Sequence, residues 1–217
     1  ADAVLADVRD LGDRILERYV TWGDDWFTEV EDELSDAALT APIDAADVTL
    51  ADGQLAEVRP AAEAWLMDVA ARLERGIVLV IDYGHPAQEL YGPRRLAGTL
   101  VTYRSHVAGT DPFADIGRQD LTTHVDISAL QRTADSMGLD MLGSTTQAAL
   151  MAGLGLGDLL YGLGQDPETR AADYLAARAS VARLLDPRHL GGFRVLVLGR
   201  GVAGDPSLPG FAPIVGS

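Results

Sequence analysis

Side chains that could take part in acid–base chemistry are concentrated in the middle of the chain. In chain order they are Asp82, Tyr83, His85, His106, Asp120, His124 and Asp126. Imidazoles titrate near neutral pH and carboxylates accept protons, so these residue types suit proton transfer or the orientation of a substrate. Histidines and carboxylates also bind metals, but a metal centre needs three or four converging ligands, and dispersed single residues do not predict one.

The histidines leave two interpretations open. His124 and Asp126 are separated by one residue, so an extended backbone would place both side chains on one face. His106 and His124 are candidates for acid–base or substrate-orienting roles, and the alternative is that they are hydrogen-bonded residues that hold a long loop. Asp126 has its own structural alternative, because it or Ser128 could cap the helix that follows.

Asp82 and Tyr83 follow Ile77–Ile81, a run of consecutive apolar residues that is mostly β-branched. This pattern is typical of a central parallel strand that is covered on both faces. Open α/β sheets bind ligands beyond the carboxyl ends of their strands, so Asp82 is the first candidate for a site role. The alternative is an acid that satisfies turn amides. Tyr83 either lines a substrate pocket or covers the core.

The elements around these residues alternate between strands and helices. Residues 15–22 and 26–30 predict a hairpin across Gly23-Asp24-Asp25, and residues 31–57 predict a short helix, a loop and a connection. Residues 1–58 are therefore expected to form a β-meander with an acidic helical and loop segment.

The rest of the chain predicts an α/β fold over residues 59–201 and a flexible tail over 202–217. A helix from Pro60 to about Arg75, ended by Gly76, should pack through Trp65, Val69 and Leu73. The other predicted elements are strands at 100–107, 139–145 and 193–199, a helix over 128–137 that ends at Gly138, and a helix from Asp166 to Leu185.

Composition narrows the class of protein. A net charge of −16 and a pI near 4.4 disfavour nucleic acid as a partner, because phosphate binding needs clustered basic residues. The chain has no cysteine, which excludes disulfides and thiolate metal sites and favours a reducing cytoplasm. No apolar run is long enough for a membrane span, and no signal peptide is recognisable.

Five motifs resemble one known family. GIVLVIDYG, GTLVTYRSH, DLTTHVDISAL, GLDMLGSTTQAAL and LLDPRHLGGFRVLVLGRG are similar, in this order and spacing, to the second half of the MidA-type methyltransferases. The likeness covers about residues 54–201. Members of that family include a mitochondrial enzyme that methylates an arginine of a respiratory complex I subunit.

This resemblance implies a partial class I, Rossmann-like sheet that uses S-adenosylmethionine. Ile77–Ile81 would be its fifth strand, and Leu139–Thr145 and Phe193–Gly199 its closing antiparallel pair. The family holds the cofactor mainly through a glycine-rich loop and an acid that come earlier in the sequence, so we expect this chain to lack the N-terminal cofactor-loop half. Asp2 and Ala3 replace an Asn-Glu pair of the family. Gly153–Gly157 has a GxGxG spacing but follows a helical pattern, so we assign no cofactor-binding residue.

The function implied is the substrate-side half of a protein-directed methyltransferase, with arginine as the acceptor. The candidate catalytic residues are Asp82, Tyr83, His106, Asp120 and His124, with Asp126 behind them. The alternative is a non-catalytic assembly module on a truncated methyltransferase scaffold. Either way, the uncovered edge of Ile77–Ile81 predicts a partner polypeptide that carries the cofactor half, or a homodimer.

Overall fold

The computed structural model describes residues 6–12 and 14–202, which divide into two compact units. The first unit runs to Asp68 and resumes over Gly84–Thr133, and the second comprises Val69–Tyr83 and continues from Ala134. The segment boundaries predicted at residues 58 and 201 do not coincide with the edges of these units, and the predicted domains stay a prediction. Asp2, Ala3 and nearly all of the predicted tail lie outside the described residues.

Strands and helices alternate along both units. The strands are β1 Ala6–Asp10, β2 Ile15–Gly23, β3 Trp26–Asp32, β4 Leu55–Val58, β5 Gly76–Asp82, β6 Gly84–His85, β7 Val101–Arg104, β8 Val107–Gly109, β9 Asp120–Thr122, β10 Val125–Asp126, β11 Asp140–Thr146 and β12 Arg194–Arg200. The α-helices are α1 Ala41–Asp44, α2 Pro60–Arg72, α3 Ala87–Leu90, α4 Ile127–Ser136, α5 Gln147–Gly153, α6 Leu156–Gln165 and α7 Ala171–Leu185; short 3-10 helices span Ala37–Thr40 and Leu190–Gly192. The fold is mixed α/β, as expected. No helix among the described residues is long and apolar enough to cross a membrane.

The first unit is built on an antiparallel sheet with the strand order β3-β2-β1-β4. The predicted hairpin is confirmed, and its two turn residues Asp24 and Asp25 have φ of 50° and 62°. Two consecutive positive φ values define a type I′ turn, whose twist matches that of the flanking strands. The strand β4 was assigned to a connection in the sequence, because four residues are too few to show a period. It pairs with β1 and buries Ala56 and Val58.

The core of the first unit lies against one face of this sheet. It is made of Ala6, Val8, Leu39, Ile43, Ala46, Leu50, Ala56, Val58, Ala87, Leu90 and Tyr91. A second antiparallel sheet has the order β8-β7-β9. The single strand predicted at residues 100–107 is therefore wrong: it is a hairpin whose turn, Ser105-His106, has φ of 49° and 66°. The two short strands β6 and β10 pair in parallel.

The second unit contains the antiparallel sheet β11-β12-β5. The predicted strand pair at 139–145 and 193–199 is confirmed, and β12 lies between its two neighbours with Val195 to Leu198 buried. The interpretation of Ile77–Ile81 as a central parallel strand is wrong for the described residues, whereas the uncovered edge that the family resemblance implied is observed. Among the described residues β5 is an edge strand, antiparallel to β12, and Ile77, Leu79 and Ile81 are 50%, 55% and 40% exposed.

Several helix boundaries and faces also differ from the predictions. α2 is buried through Leu66 and Ala70, whereas Trp65, on the predicted face, is exposed. The buried face of the helix is therefore displaced by one residue from the predicted one. α2 ends at Arg72, before the predicted Arg75. Arg200 donates hydrogen bonds to the carbonyls of Ala70 and Leu73, at the end of the helix, at 2.6 and 2.8 Å. Asp166 is the C-cap of α6 and forms a turn instead of the predicted N-cap, so α7 begins only at Ala171. α4 matches the predicted helix within a residue, and Gly138 follows it with φ of 68°.

Candidate functional site

A pair of histidines marks the polar centre of the first unit. The parallel pairing of β6 with β10 aligns His85 with Asp126, and it brings the rings of His85 and His124 to a centroid distance of 5.0 Å. His85 Nδ1 lies 3.0 Å from Glu89 Oε2. The close approach requires a glycine at position 84, where a Cβ atom would lie 2.4 Å from the carbonyl oxygen of Val125. The DYGH motif and the DLTTHVD motif therefore meet here.

Burial sets the protonation of the inner histidine. The desolvation of His124, with smaller contributions from His85, Arg95 and Arg59, lowers its pKa from 6.5 to about 4. His124 is therefore neutral at pH 7.

A buried carboxylate joins this centre to the GTLV motif. Glu57 on β4 accepts hydrogen bonds from the Thr99 backbone at 2.7 Å, from the Thr99 hydroxyl at 2.7 Å and from the Leu100 backbone at 3.2 Å. The Thr99 hydroxyl oxygen in turn accepts from the backbone N–H of His124 at 3.0 Å. Glu57 and Thr99 are 5% and 7% exposed, so these bonds satisfy a carboxylate that would otherwise be costly to bury. The network fixes the backbone on which His124 lies.

Tyr91 and Asp126 lie beside His124 and line the same small cavity. Asp126 is 8% exposed and caps α4 by accepting from the N–H of Ala129 at 3.0 Å, which is the structural alternative that the sequence left open. Burial raises the pKa of Asp126, and burial together with Asp126 raises the pKa of Tyr91. Arg59 extends the network by donating to the carbonyl and hydroxyl of the buried Thr123.

An inner concavity is lined by His124, and an outer one is bounded in part by Glu89, the partner of His85. The inner one has a volume of about 10 Å³, room for about one water molecule, and its polar lining is Glu57, Arg59, Glu63, Tyr91, His124 and Asp126. The outer one is open, has a volume of about 620 Å³ and is bounded by Gln88, Glu89, Gly92, Pro93, Arg94 and Arg95. Glu89 is both the partner of His85 and part of this outer surface. The arrangement could hold a polar group beside an imidazole–carboxylate pair and guanidinium groups.

The other predicted site residues lie elsewhere. His106 is on the exposed turn between β7 and β8, and Asp120 is exposed at the start of β9. Asp82 and Tyr83 belong to the second unit, where Asp82 is half-buried at the end of β5 and its Oδ1 accepts from the Tyr83 N–H at 2.8 Å. The Tyr83 ring packs edge-on against Phe193 at 5.3 Å. Within residues 6–12 and 14–202, no three His, Asp or Glu side chains converge as metal ligands would.

Comparisons with known proteins assign the family. Residues 6–145, more than half of the chain, match the family described as "Putative S-adenosyl-L-methionine-dependent methyltransferase". The chain belongs to this methyltransferase family. No curated protein sequence gives a significant match.

Two solved structures from Burkholderia thailandensis resemble this member of the methyltransferase family. One is a native structure of an uncharacterised COG1565 superfamily protein, with 33% sequence identity, a TM-score of 0.86 and coverage of 96% of this chain and 55% of the other. The second is a COG1565 superfamily member bound to S-adenosyl-homocysteine, with 32% identity, a TM-score of 0.85 and coverage of 96% and 54%. The chain spans about half the length of the structures that it matches.

The sequence analysis missed four residues of the network: Glu57, Arg59, Thr99 and Tyr91. A weak signal for Glu57 was present, since a single carboxylate between Ala56 and Val58 suggests a buried acid with a partner. The structure shows why the GTLV segment begins with glycine: Gly98 has φ of 71°, and a Cβ there would lie 2.0 Å from Glu57 Oε1. Tyr91 carries no such signal.

Proposed function

We propose that this chain forms the methyl-acceptor side of an S-adenosylmethionine-dependent methyltransferase of the MidA type, which acts on a protein and has arginine as its acceptor. The observation that carries the proposal is the likeness to the S-adenosyl-homocysteine-bound structure, which extends over 96% of this chain. The class I assignment is supported by the sheet β11-β12-β5, in which the last strand in sequence lies antiparallel between the other two.

The described residues do not supply a recognisable cofactor loop. Gly153–Gly157 lies between α5 and α6, and Gly155, with φ of 84°, precedes the first residue of α6. A nucleotide-binding loop instead follows a strand and opens a helix, so that its glycines let the backbone approach the ligand. We therefore assign no contact with the methyl donor to any residue of this chain.

We propose that the remainder of the donor-binding sheet joins β5. Among the described residues, β5 pairs on one side only, and its exposed Ile77, Leu79 and Ile81 form an apolar surface. An unpaired edge beside an apolar surface favours the addition of another strand. The strand would come from the rest of a longer protein or from a partner polypeptide.

The acceptor needs a carboxylate. When bound, S-adenosylmethionine supplies a methyl group on a sulfonium centre. A guanidinium is protonated in water, and a carboxylate that binds its planar fork can position one nitrogen and accept the proton that the nitrogen releases. Asp82 is our first candidate for this role, because it lies half-buried at the carboxyl end of β5. Tyr83, His106, Asp120 and His124 stay predictions, and the burial of His124 favours a positioning role for it.

The decisive experiment measures methyl transfer by the product of the complete open reading frame. Transfer from labelled S-adenosylmethionine to protein arginine should be about 100-fold slower in Asp82→Asn, in line with the loss of a positioned acid–base group. Asp140→Asn is the matched control, because Asp140 is an exposed acid at the start of β11 in the same sheet. Equal rates for the two variants would remove Asp82 from the mechanism, and label on another residue type would reject arginine as the acceptor.

The exposed apolar surface of β5 also favours the alternative function, a non-catalytic assembly module. Calorimetric titration separates the two. Micromolar binding of S-adenosylmethionine by the complete protein supports the enzyme. Absence of binding at millimolar ligand, with a stable complex to a partner protein, supports the module.

A further inference from the structure

Three large aromatic side chains are exposed together at the tip of the β2–β3 hairpin. Trp22, Trp26 and Phe27 are 61%, 53% and 37% exposed. Such residues usually lie in the core, and a contiguous exposed cluster of them marks an interaction surface. We call this set of three residues the aromatic tip.

The rings of the aromatic tip hold one another in place. Trp22 and Phe27 are cross-strand partners with their rings edge-on at 5.1 Å, and Trp22 lies 6.4 Å from Trp26. Phe27 also stacks on Phe113 at 6.1 Å, with an angle of 20° between the ring planes. These contacts order the rings in advance, so a ligand would lose little conformational freedom of the protein on binding.

The negative charge of the hairpin turn favours a cationic ligand. The turn consists of Asp24 and Asp25, and the stretch from Trp22 to Thr28 contains no basic residue. Farther along β3, Glu29 and Glu31 are paired with Arg18 and Arg9 at 2.9 and 2.7 Å, whereas Asp24 and Asp25 are adjacent in sequence to the aromatic tip. Aromatic faces beside carboxylates favour a cation, and the planar guanidinium can stack on a ring while it binds an acid.

The outer edge of β3 offers a track for a peptide backbone. Among the described residues β3 pairs only with β2, and all seven of its residues are exposed. An open strand edge can bind an extended segment through main-chain hydrogen bonds.

We propose that the aromatic tip and the outer edge of β3 together bind an extended, arginine-bearing segment of a partner protein. The net charge of −16 supports a basic partner. This docking site does not depend on methyl transfer, because it uses neither Asp82 nor a methyl donor. It is therefore testable even if the proposed function is wrong.

The test is a titration of the full chain with a fluorescein-labelled peptide of alternating arginine and threonine, followed by fluorescence anisotropy without S-adenosylmethionine. Trp22→Ala should weaken binding about threefold to tenfold, because it removes a cation–π partner and disrupts the ring cluster. Trp65→Ala is the matched control, since Trp65 is 49% exposed on α2, outside the hairpin, and its loss should leave the affinity unchanged.

A second variant separates charge from folding. Asn adopts positive φ readily, so Asp24→Asn with Asp25→Asn keeps the type I′ turn but removes both charges. The affinity should fall about twofold to fivefold at low salt, and the difference should vanish at high salt.

Three results would overturn the proposal. They are equal losses of affinity in Trp22→Ala and Trp65→Ala, equal binding of a peptide with glutamate in place of arginine, and an unchanged affinity in the double aspartate variant. A doubling of the mass in light scattering that Trp22→Ala abolishes, without peptide binding, would instead assign the surface to a second copy of the chain.

Discussion

Burial shifts the pKa values of several titratable residues of the first unit, and the direction depends on the group. Asp126 and Tyr91 are both almost fully buried and have raised pKa values. Asp126 caps α4, and Tyr91 lines the inner concavity. Asp7 lies on β1 opposite Glu57. Burial and the Glu57 charge raise the pKa of Asp7 to about 6. Burial lowers the pKa of His124, because an imidazole is charged when it is protonated. At the residue scale, the neighbours of a group decide its role.

We predict that His124→Gln makes stability less sensitive to acid. The pKa of His124 is 6.5 when unfolded and about 4 when folded, so the unfolded chain binds more protons within this window. The free energy of unfolding of the unchanged protein should therefore fall as the pH drops from 6.5 to 4. After allowance for the partial exposure of the ring, the loss due to His124 is about 1–2 kcal/mol.

Urea denaturation of both proteins at several pH values measures this effect. The raised pKa of Asp7 acts in the opposite direction, since folding then takes up a proton between pH 4 and 6, but it is common to both proteins and cancels in the difference. Parallel stability curves for the two proteins would contradict the assignment of a buried, neutral His124.

At the scale of elements, the GTLV segment is held by a single carboxylate. Glu57 reaches from β4 to the residues just before β7, and Gly98 allows the chain to pass close to it. A short strand that was not recognised in the sequence thus positions the loop on which the His124 backbone depends. The close contact makes position 98 intolerant of any side chain.

We predict that Gly98→Ala lowers the free energy of unfolding by about 3 kcal/mol or more, through both backbone strain and a collision with Glu57. Gly53→Ala is the control: its φ of 76° is similar, but a Cβ there has no atom within 4 Å. That change should cost about 1 kcal/mol. Thermal denaturation followed by circular dichroism compares the two, and equal losses would show that Glu57 does not confine position 98.

At the scale of the whole molecule, β5 pairs on one side only among the described residues, and we expect its other side to mediate association. An edge strand with exposed Ile77, Leu79 and Ile81 can pair with another strand and bury its apolar surface at once. The composition of this strand indicated a central position, whereas the family resemblance had already implied an uncovered edge. The difference arises because five apolar residues show that a strand is suited to burial, while its neighbours determine whether it is buried.

We predict that the isolated chain self-associates through β5 as its concentration rises. Leu79→Arg should keep it monomeric, because a charge on the exposed face opposes burial. Leu159→Arg on α6 is the control, since Leu159 is 71% exposed and lies outside the sheet. Multi-angle light scattering measures the mass of each protein. A monomer at every concentration, or the same effect of both substitutions, would contradict the prediction.

The sequence predicted more of the fold than of the candidate site. The hairpin at Asp24-Asp25, the strand pair β11 and β12 and the helix α4 were predicted because turn residues, apolar runs and caps act locally. The start of α7 was misplaced, since Asp166 and Pro167 suit a turn as well as a helix. Of the predicted site residues, the structure brings only His124 into the histidine pair.

Local chemistry in the sequence determined the α/β class, the acidic character that disfavours nucleic acid, and the presence of polar groups at the end of Ile77–Ile81. The tertiary structure decided that β5 runs antiparallel and lies at an edge of the sheet in the part of the chain that the structure describes, that Glu57 meets Thr99, and that His85 lies beside His124. The physical reason is distance along the chain. Periodicity and turn chemistry act over a few neighbouring residues, whereas these contacts join segments far apart in sequence, and their formation depends on the packing of everything between them.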